Sequence, residues 1–173
     1  MRELLDLIAQ RRDGRTVVVI DGGSGSGKTV LASRLADATG AQLVGLDEFY
    51  PGWSGLRAAS ELTPDVITGD GFRCWNWARS EPGDWRVLDP YADLVIEGCG
   101  ALTPASRALA TVAVWCELDA ATRKRRALAR DGDMFAPHWD AWAAQEADHW
   151  ARHRPWELAD AVWRPVGTGD TDE

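Results

Sequence analysis

The eight residues GGSGSGKT, at positions 22–29, constrain the fold of this chain more than any other segment. They follow the β-branched run TVVVI at 16–20, which is typical of a central parallel strand, and precede a segment with helical spacing at 29–38. A glycine-rich loop between a buried strand and a helix fits G-x-x-x-x-G-K-[ST], and the backbone amides of such a loop surround phosphate groups. The pattern therefore predicts a phosphate-binding loop made of Gly22, Gly23, Ser24, Gly25, Ser26, Gly27, Lys28 and Thr29.

Two side chains at the end of this loop have the chemistry that a nucleoside triphosphate requires. The Lys28 ammonium can reach the β- and γ-phosphates, and the Thr29 hydroxyl is suited to Mg²⁺. The sequence contains neither the N-K-x-D guanine motif of GTPases nor the serine–glycine signature of ABC-type ATPases. We therefore expect ATP and Mg²⁺ as cofactors, and the preference for ATP over GTP stays open.

Apolar, strand-like runs alternate with helical patterns along the chain, which predicts an α/β fold. We expect a three-layer, doubly wound parallel sheet with a helical lid, and Gly40 as the glycine that ends the helix after the loop. Residues 51–90 show only a weak pattern. The chain is expected to form one domain over 1–173, with a lid at about 121–136, an acceptor-binding insert at about 48–90 and a disordered acidic tail at 167–173. The remaining strands are predicted at 41–46, 92–98, 111–118 and 159–163, and two later helices at 120–130 and 137–153.

Charge and composition restrict the partners. A net charge of −8 disfavours nucleic acid, and no apolar run has the length of a signal peptide or a membrane span. The three cysteines are odd in number and lack C-x-x-C spacing, which indicates reduced thiols in the cytoplasm. We expect a small-molecule acceptor as partner, no nucleic acid and no membrane. A stripe of aromatic and polar residues at 139–153 indicates packing, and a homodimer contact there is left open.

Two acidic residues come at the ends of predicted strands. Asp47 ends the run AQLVGL, and Glu97 ends ADLVIE. In a doubly wound sheet, ligands bind outside the carboxyl ends of the strands, so both carboxylates are expected near Lys28. Asp47 can accept the proton of a hydroxyl nucleophile, and Glu97 can hold Mg²⁺ through water.

Three arginines follow in the predicted helix at 120–130. Arg123, Arg126 and Arg130 recur at i, i+3 and i+7 and therefore share one helical face. A cationic row of this kind can neutralise the charge of a transferring phosphoryl group. The alternative is a solvated basic face without a role in chemistry.

These segments together resemble the uridine–cytidine kinase and phosphoribulokinase-like branch of P-loop kinases. The resemblance rests on GGSGSGKT, on DEFY as a D-x-F-Y motif, on LVIEG, on TRKRRALARD as an R-x-x-R-x-x-x-R-D lid, and on ADAVW, and it covers about residues 15–165. It implies that Asp47 is the catalytic base and that Tyr50 lies near the acceptor. It also implies that the three lid arginines close over the phosphates and that a nucleoside is the first guess for the acceptor.

The chain departs from this family where a Y-D-F-type hairpin grips the nucleoside. It has GFRCWNWARSEPGDW at 71–85 instead, and we predict an aromatic and cationic acceptor site there. Trp75 and Trp77 alternate, so both rings are expected to face the same way on a strand. The alternative is that the tryptophans only cover a small sheet. The acceptor-binding residues predicted from this segment and from DEFY are Tyr50, Arg73, Trp75 and Trp77.

The favoured function is therefore an ATP- and Mg²⁺-dependent phosphotransferase acting on a small molecule. One alternative within this class is a nucleoside monophosphate kinase, in which Arg57, Arg73 or Arg79 would bind the phosphate of the acceptor. An alternative of another class is a nucleotide-binding regulatory module without transfer activity. Asp47 distinguishes the two classes, because a module that only binds nucleotide has no need of a base there.

Overall fold

The central sheet of the protein, described over residues 1–165 by a computed structural model, contains five parallel strands in the order β2-β5-β1-β6-β7. Strand β1 lies in the middle because its residues are all apolar or buried and suit a position covered on both faces. A separate antiparallel hairpin is formed by β3 and β4. The strands are β1 (Val17–Gly22), β2 (Gln42–Gly45), β3 (Gly71–Asn76), β4 (Glu81–Val87), β5 (Leu94–Glu97), β6 (Val112–Cys116) and β7 (Ala161–Trp163).

Helices cover both faces of the sheet and complete a three-layer α/β fold, as predicted. Alternate residues of β1 point to opposite faces: Val18 packs with helices α1 and α2, and Val19 packs with the layer that contains α3, α5 and α6. The acidic tail predicted at 167–173 lies outside the described residues. The helices are α1 (Arg2–Arg11), α2 (Lys28–Thr39), α3 (Leu56–Thr68), α4 (Pro104–Leu109), α5 (Ala120–Phe135), α6 (Trp139–His153) and α7 (Pro155–Leu158).

Helix α2 ends where the sequence predicts. Gly40 adopts the left-handed conformation (φ 71°), and its N–H donates to the Ala36 carbonyl at 2.8 Å. Glycine enters this region of φ without steric cost, so the chain can leave the helix and return to the sheet as β2.

The segment at 51–90 is more regular than its sequence pattern indicates. It contains the 13-residue helix α3, which is amphipathic and buries Leu56, Val66 and Ile67. Pro64 lies inside this helix and lacks the N–H that would continue the hydrogen-bond ladder. Proline is ordinarily a signal for a helix end, so the apolar periodicity of α3 was hidden.

The hairpin differs from the expected alternation of tryptophans. Strand β3 ends at Asn76, and its pairing with β4 is irregular between Arg73 and Trp75. Trp77 therefore lies in the turn after the strand, where alternation no longer fixes its direction. The expectation that Trp75 and Trp77 face the same way does not apply to this backbone.

The segment at about 121–136 that was predicted as a lid is almost entirely α5, and a short 3₁₀ turn and α6 follow it. Helix α5 is interrupted at Gly132, whose φ of 52° and ψ of −133° are not helical. Across residues 1–165, none of the helices is both long enough and apolar enough to cross a membrane.

Candidate active site

The phosphate loop has the close backbone packing that its glycines require. An added Cβ on Gly22 would lie 2.5 Å from the Cys116 carbonyl oxygen, so β1 and β6 meet too tightly there for a side chain. Gly27 has a φ of 93° and directly precedes the first residue of α2, Lys28. The loop therefore leads straight into a helix N-terminus, where amide groups favour an anion.

Lys28 is buried inside this loop, with 7% of its surface exposed. Its Nζ donates to the Gly23 carbonyl at 3.1 Å and to Cys99 Sγ at 3.4 Å. Burial alone would lower the pKa of Lys28, but the surrounding Cys99, Glu97 and Glu146 raise its pKa overall. Lys28 is therefore protonated and can meet a phosphate group.

Thr29 and Glu97 are brought together from the start of α2 and the end of β5. The Thr29 hydroxyl donates to Glu97 Oε1 at 2.8 Å. Burial raises the pKa of Glu97, and the charge of Lys28 and the Thr29 hydrogen bond offset part of that rise.

These two oxygen-bearing side chains fit Mg²⁺ as it is bound in phosphate-transfer sites. Residues 1–165 contain no cluster of three or more histidine, cysteine or acidic side chains arranged for a metal. Mg²⁺ keeps several waters and binds through one or two protein oxygens plus substrate phosphates, so Thr29 and Glu97 are a sufficient protein contribution. Thr29 and Glu97 would hold the ion, and it would supply positive charge beside the phosphate loop.

Asp47 lies in the 3₁₀ turn Leu46–Glu48, two residues beyond the end of β2, and its side chain faces the same cleft as Lys28. Partial desolvation by the cleft walls raises the pKa of this carboxyl, and the adjacent Glu48 charge raises it further. A carboxylate with a raised pKa is a stronger proton acceptor than an ordinary aspartate. Gly45 makes room for it, because an added Cβ there would lie 2.2 Å from Asp47 Oδ1.

Glu48, the neighbour of Asp47, has a structural role away from the cleft. Its carboxylate pairs with Arg86 of β4 and accepts the Gly45 N–H at 3.1 Å. Arg86 also donates to the Leu43 carbonyl at 2.6 Å. The pair therefore fastens the hairpin to the end of β2, beside the turn that carries Asp47.

One cleft of about 390 Å³ brings most of these groups together. Its polar side combines the end of the phosphate loop with charged side chains from the 3₁₀ turn after β2, from β5 and from α5. Arg130 is the lid arginine that reaches this cleft, where it pairs with Asp131 at 2.7 Å, and this contact raises its pKa. The charged and hydroxyl side chains of the cleft include Lys28, Thr29, Asp47, Glu97, Arg130 and Asp131.

The opposite side of the cleft is aromatic. Trp53 is its centre: its ring stacks on His138 with centroids 4.3 Å apart and on Phe135 at 5.4 Å, and it meets Trp77 at 5.0 Å. The Trp77 Nε1–H donates to the Asp47 carbonyl oxygen at 2.8 Å, so the hairpin turn is tied to the turn with the acid. Five aromatic side chains line the cleft, namely Tyr50, Trp53, Trp77, Phe135 and Trp142.

Two of these aromatic residues have polar atoms with different environments. The Tyr50 hydroxyl donates to the Cys99 carbonyl at 2.8 Å and is therefore satisfied. The Trp142 Nε1–H is buried and has no hydrogen-bond partner within the described chain. An unpaired buried donor costs about 1–3 kcal/mol, so the packing of Trp142 against the cleft is achieved at a cost in hydrogen bonding.

Four predicted site residues lie elsewhere. Arg73 is exposed and donates to the Gly83 carbonyl within the hairpin, and Trp75 lies outside the cleft. Arg123 is buried against the phosphate loop on the side of α6, and Arg126 is half-buried on α5 without lining the cleft. The spacing i, i+3, i+7 places the three arginines on one helical face, but of the three only Arg130 reaches the cleft.

Sequence reasoning gave no role to several residues that the fold brings to this site. Phe135, Trp142 and Glu146 come from the lid and from the stripe on α6, which indicated packing alone. Trp139, Trp142, Glu146 and His149 are indeed buried within the chain. The one available signal was that a glutamate and a histidine occur in this otherwise apolar stripe, since buried polar groups need partners.

A larger cavity, of about 510 Å³, lies between α3, the start of α4 and α6. Its arginines are already neutralised: Arg57 pairs with Glu61, and Arg152 pairs with Asp148. None of the phosphate-loop residues lines it. The smaller cleft is therefore the candidate active site.

The parallel sheet, with a glycine-rich loop after its central strand and acids after two neighbouring strands, is a fold shared with several solved structures. Solved structures with this fold include a provisionally named fructose transport system kinase of Silicibacter sp., which is 22% identical with a TM-score of 0.61 and covers 93% of this chain and 97% of its own. They also include a possible uridine kinase of Bacillus stearothermophilus, 18% identical with a TM-score of 0.57 and coverages of 93% and 99%. A shikimate kinase of Bacteroides thetaiotaomicron is 12% identical, with a TM-score of 0.55 and coverages of 90% and 90%. At these identities the likeness concerns the fold.

No protein-family model matches the sequence, and no curated protein is significantly similar to it.

Proposed function

We propose that the protein is an ATP- and Mg²⁺-dependent kinase that transfers the γ-phosphoryl group to a hydroxyl of a small molecule. The observation that carries this proposal is the meeting of Lys28, the Thr29–Glu97 pair and Asp47 in one cleft. Lys28 and the loop amides hold the phosphates, and Asp47 orients the acceptor hydroxyl and takes its proton. Arg130 adds positive charge at the transferring group.

The cleft favours an acceptor that carries no phosphate. The nucleoside monophosphate alternative needs Arg57, Arg73 or Arg79, and none of these lines the cleft. Arg57 pairs with Glu61 and Arg79 with Glu81 at the surface. An aromatic wall instead suits a flat or apolar body, and a nucleoside is the first candidate, as the solved structures with this fold include one described as a possible uridine kinase.

The cysteines and the net charge support a proposal for location and partners. We propose a cytoplasmic protein, because Cys74, Cys99 and Cys116 are free thiols and two of them are buried beside the phosphate loop. A net charge of −8 favours small molecules over nucleic acid. The stripe on α6 packs inside the chain, so a homodimer would need another surface.

The test is a coupled assay of ADP release over nucleosides, nucleoside monophosphates, sugars and amino alcohols. With the accepted substrate, Asp47→Asn is expected to keep ATP affinity and to lower kcat by about 10²- to 10⁴-fold, the usual contribution of a positioned base. Turnover by this variant at the wild-type rate would exclude Asp47 as the base. ATP binding without release of ADP by any acceptor would favour the regulatory module instead.

A further inference from the structure

A buried carboxylate lies directly against the phosphate loop. Glu146, on α6, is 2% exposed, and its Oε1 accepts the Ser24 backbone N–H at 2.7 Å and the Cys99 thiol at 3.2 Å. Ser24 belongs to the loop itself and also lines the cleft. The Glu146 carboxylate therefore lies beside the place where a triphosphate would bind, and negative charge there disfavours a ligand of like charge.

Arg123 contacts both this carboxylate and the loop. Its Nη1 donates to Glu146 Oε2 at 3.2 Å and to the Ser24 carbonyl at 3.2 Å, and its guanidinium lies 5.2 Å from the centre of the Trp150 ring. The contact with the loop is close: an added Cβ on Gly23 would lie 2.0 Å from Arg123 Nη1. The guanidinium is thus held on the α6 side of the loop, and Arg123 does not line the cleft.

We propose that Arg123 supports ATP binding by neutralising Glu146, and not by contacting the phosphates. This inference rests on the proposed function, because it concerns the affinity of the same loop for a triphosphate. Glu146 accepts the Ser24 N–H and so connects α6 to the loop. Arg123 neutralises the Glu146 carboxylate and thereby removes its repulsion of the phosphates. Arg123 and Glu146 are accordingly positioning residues, and the pair connects α5 and α6 to the loop.

The proposal predicts that only one of the two single substitutions weakens ATP binding. Direct calorimetric titration of ATP·Mg²⁺ is expected to give about tenfold weaker binding for Arg123→Gln, because an unpaired carboxylate then faces the phosphates. Glu146→Gln is expected to bind ATP as tightly as the wild type or several-fold more tightly, since the amide oxygen still accepts the Ser24 N–H and an unpaired cation remains. The double variant is expected to return to within about twofold of the wild type.

A matched control removes an ion pair from the exposed side of the same helix. Arg152→Gln combined with Asp148→Asn deletes the i,i+4 pair on α6 and is expected to leave ATP affinity unchanged. Thermal unfolding of each variant without ligand reports whether the pair also contributes to folding. Should Arg123→Gln not fold, the affinities of Glu146→Gln and of the double variant still decide between the two roles, because the proposal requires that neither of them binds ATP substantially more weakly than the wild type.

Two results would overturn the inference. If Arg123→Gln and the double variant bind ATP equally weakly, Arg123 acts by its own contact with the nucleotide. If Glu146→Gln binds ATP about tenfold more weakly, the carboxylate itself supports the ligand. A wild-type protein that binds no ATP would instead overturn the proposed function and this inference with it, while wild-type affinity in Arg123→Gln would overturn the inference alone.

Discussion

At the scale of single residues, the site depends on the close contact between the Asp47 side chain and Gly45, the last residue of β2. Asp47 Oδ1 occupies the space that a side chain on Gly45 would fill, and Glu97 Oε1 lies 3.6 Å from the same point. Gly45 has an extended backbone (φ −99°), so it is required for space and not for an unusual conformation. The sequence identifies Asp47 but not the reason for the glycine two residues earlier.

Gly45→Ala is therefore expected to displace the Asp47 carboxylate and to lower kcat by up to about 100-fold, the effect of misplacing a catalytic group by about 1 Å. Only the end of a side chain must shift, so the free energy of unfolding should change by less than about 0.5 kcal/mol. Steady-state kinetics and urea unfolding measure the two effects. Gly83→Ala is the control, because its nearest neighbour would be 3.4 Å away, and full activity in Gly45→Ala would contradict this account.

Glu97 combines a proposed metal-binding role with a cost to folding. Burial raises its pKa, so the folded protein binds a proton at pH values where the unfolded chain has released it. Ionised Glu97 therefore destabilises the metal-free fold above its raised pKa, and this cost disappears as the pH falls towards about 4.3, the ordinary glutamate value.

Glu97→Gln is accordingly expected to be more stable than the wild type at neutral pH in EDTA, with a gain that shrinks on acidification, while Mg²⁺-dependent turnover is lost. Urea unfolding across pH measures the gain. Glu3→Gln, which removes the same charge from an exposed position on α1, should show no such gain. A Glu97→Gln variant that is less stable than the wild type at neutral pH would contradict the expected gain in stability.

At the scale of elements, the hairpin β3–β4 is fastened to the turn 46–48 at two places. Arg86 pairs with Glu48 and with the Leu43 carbonyl, and Trp77 donates to the Asp47 carbonyl. The hairpin packs Phe72 against Phe49 at 5.0 Å, so its own core contact lies beside the same turn. Its position thus determines how firmly Asp47 is held.

Removing this fastening should affect catalysis more than folding. Arg86→Ala is expected to lower the free energy of unfolding by about 1 kcal/mol, since the pair is half-exposed, and to lower kcat by about tenfold or more. Arg79→Ala is the matched control, because Arg79 pairs with Glu81 in the same hairpin without touching the turn. Equal kinetics for both variants would show that the hairpin does not position Asp47.

The strands and helices also differ in how easily they can be recognised from the sequence. Strands β1, β5 and β6 are buried on both faces, so their apolar runs are continuous and easily recognised. Helix α3 is hard to recognise in the sequence because Pro64 is normally a signal for a helix end. The helix tolerates this proline because its apolar face packs on the core. Tertiary packing there outweighs the local preference against proline.

At the scale of the whole molecule, nucleotide binding should stabilise the fold, because a ligand that binds only the folded state shifts the equilibrium towards it. ATP·Mg²⁺ at about 100 times its Kd adds about 2.7 kcal/mol, or roughly 5–10 °C in Tm for a domain of this size. Lys28→Ala should show little or no shift in a thermal unfolding assay. A large shift in this variant would contradict the assignment of the phosphate loop.

The sequence by itself determined the phosphate loop, the parallel α/β architecture and the acids at the strand ends. These features are local: each depends on residues that are adjacent in the chain and on the rule that parallel strands end at one edge. The tertiary structure alone decided which lid arginine reaches the cleft, which aromatic residues form its wall, and that Arg123 meets Glu146 behind the loop. Those contacts join segments far apart in the chain, and only the packing of α5, α6 and the hairpin against the sheet brings them within bonding distance.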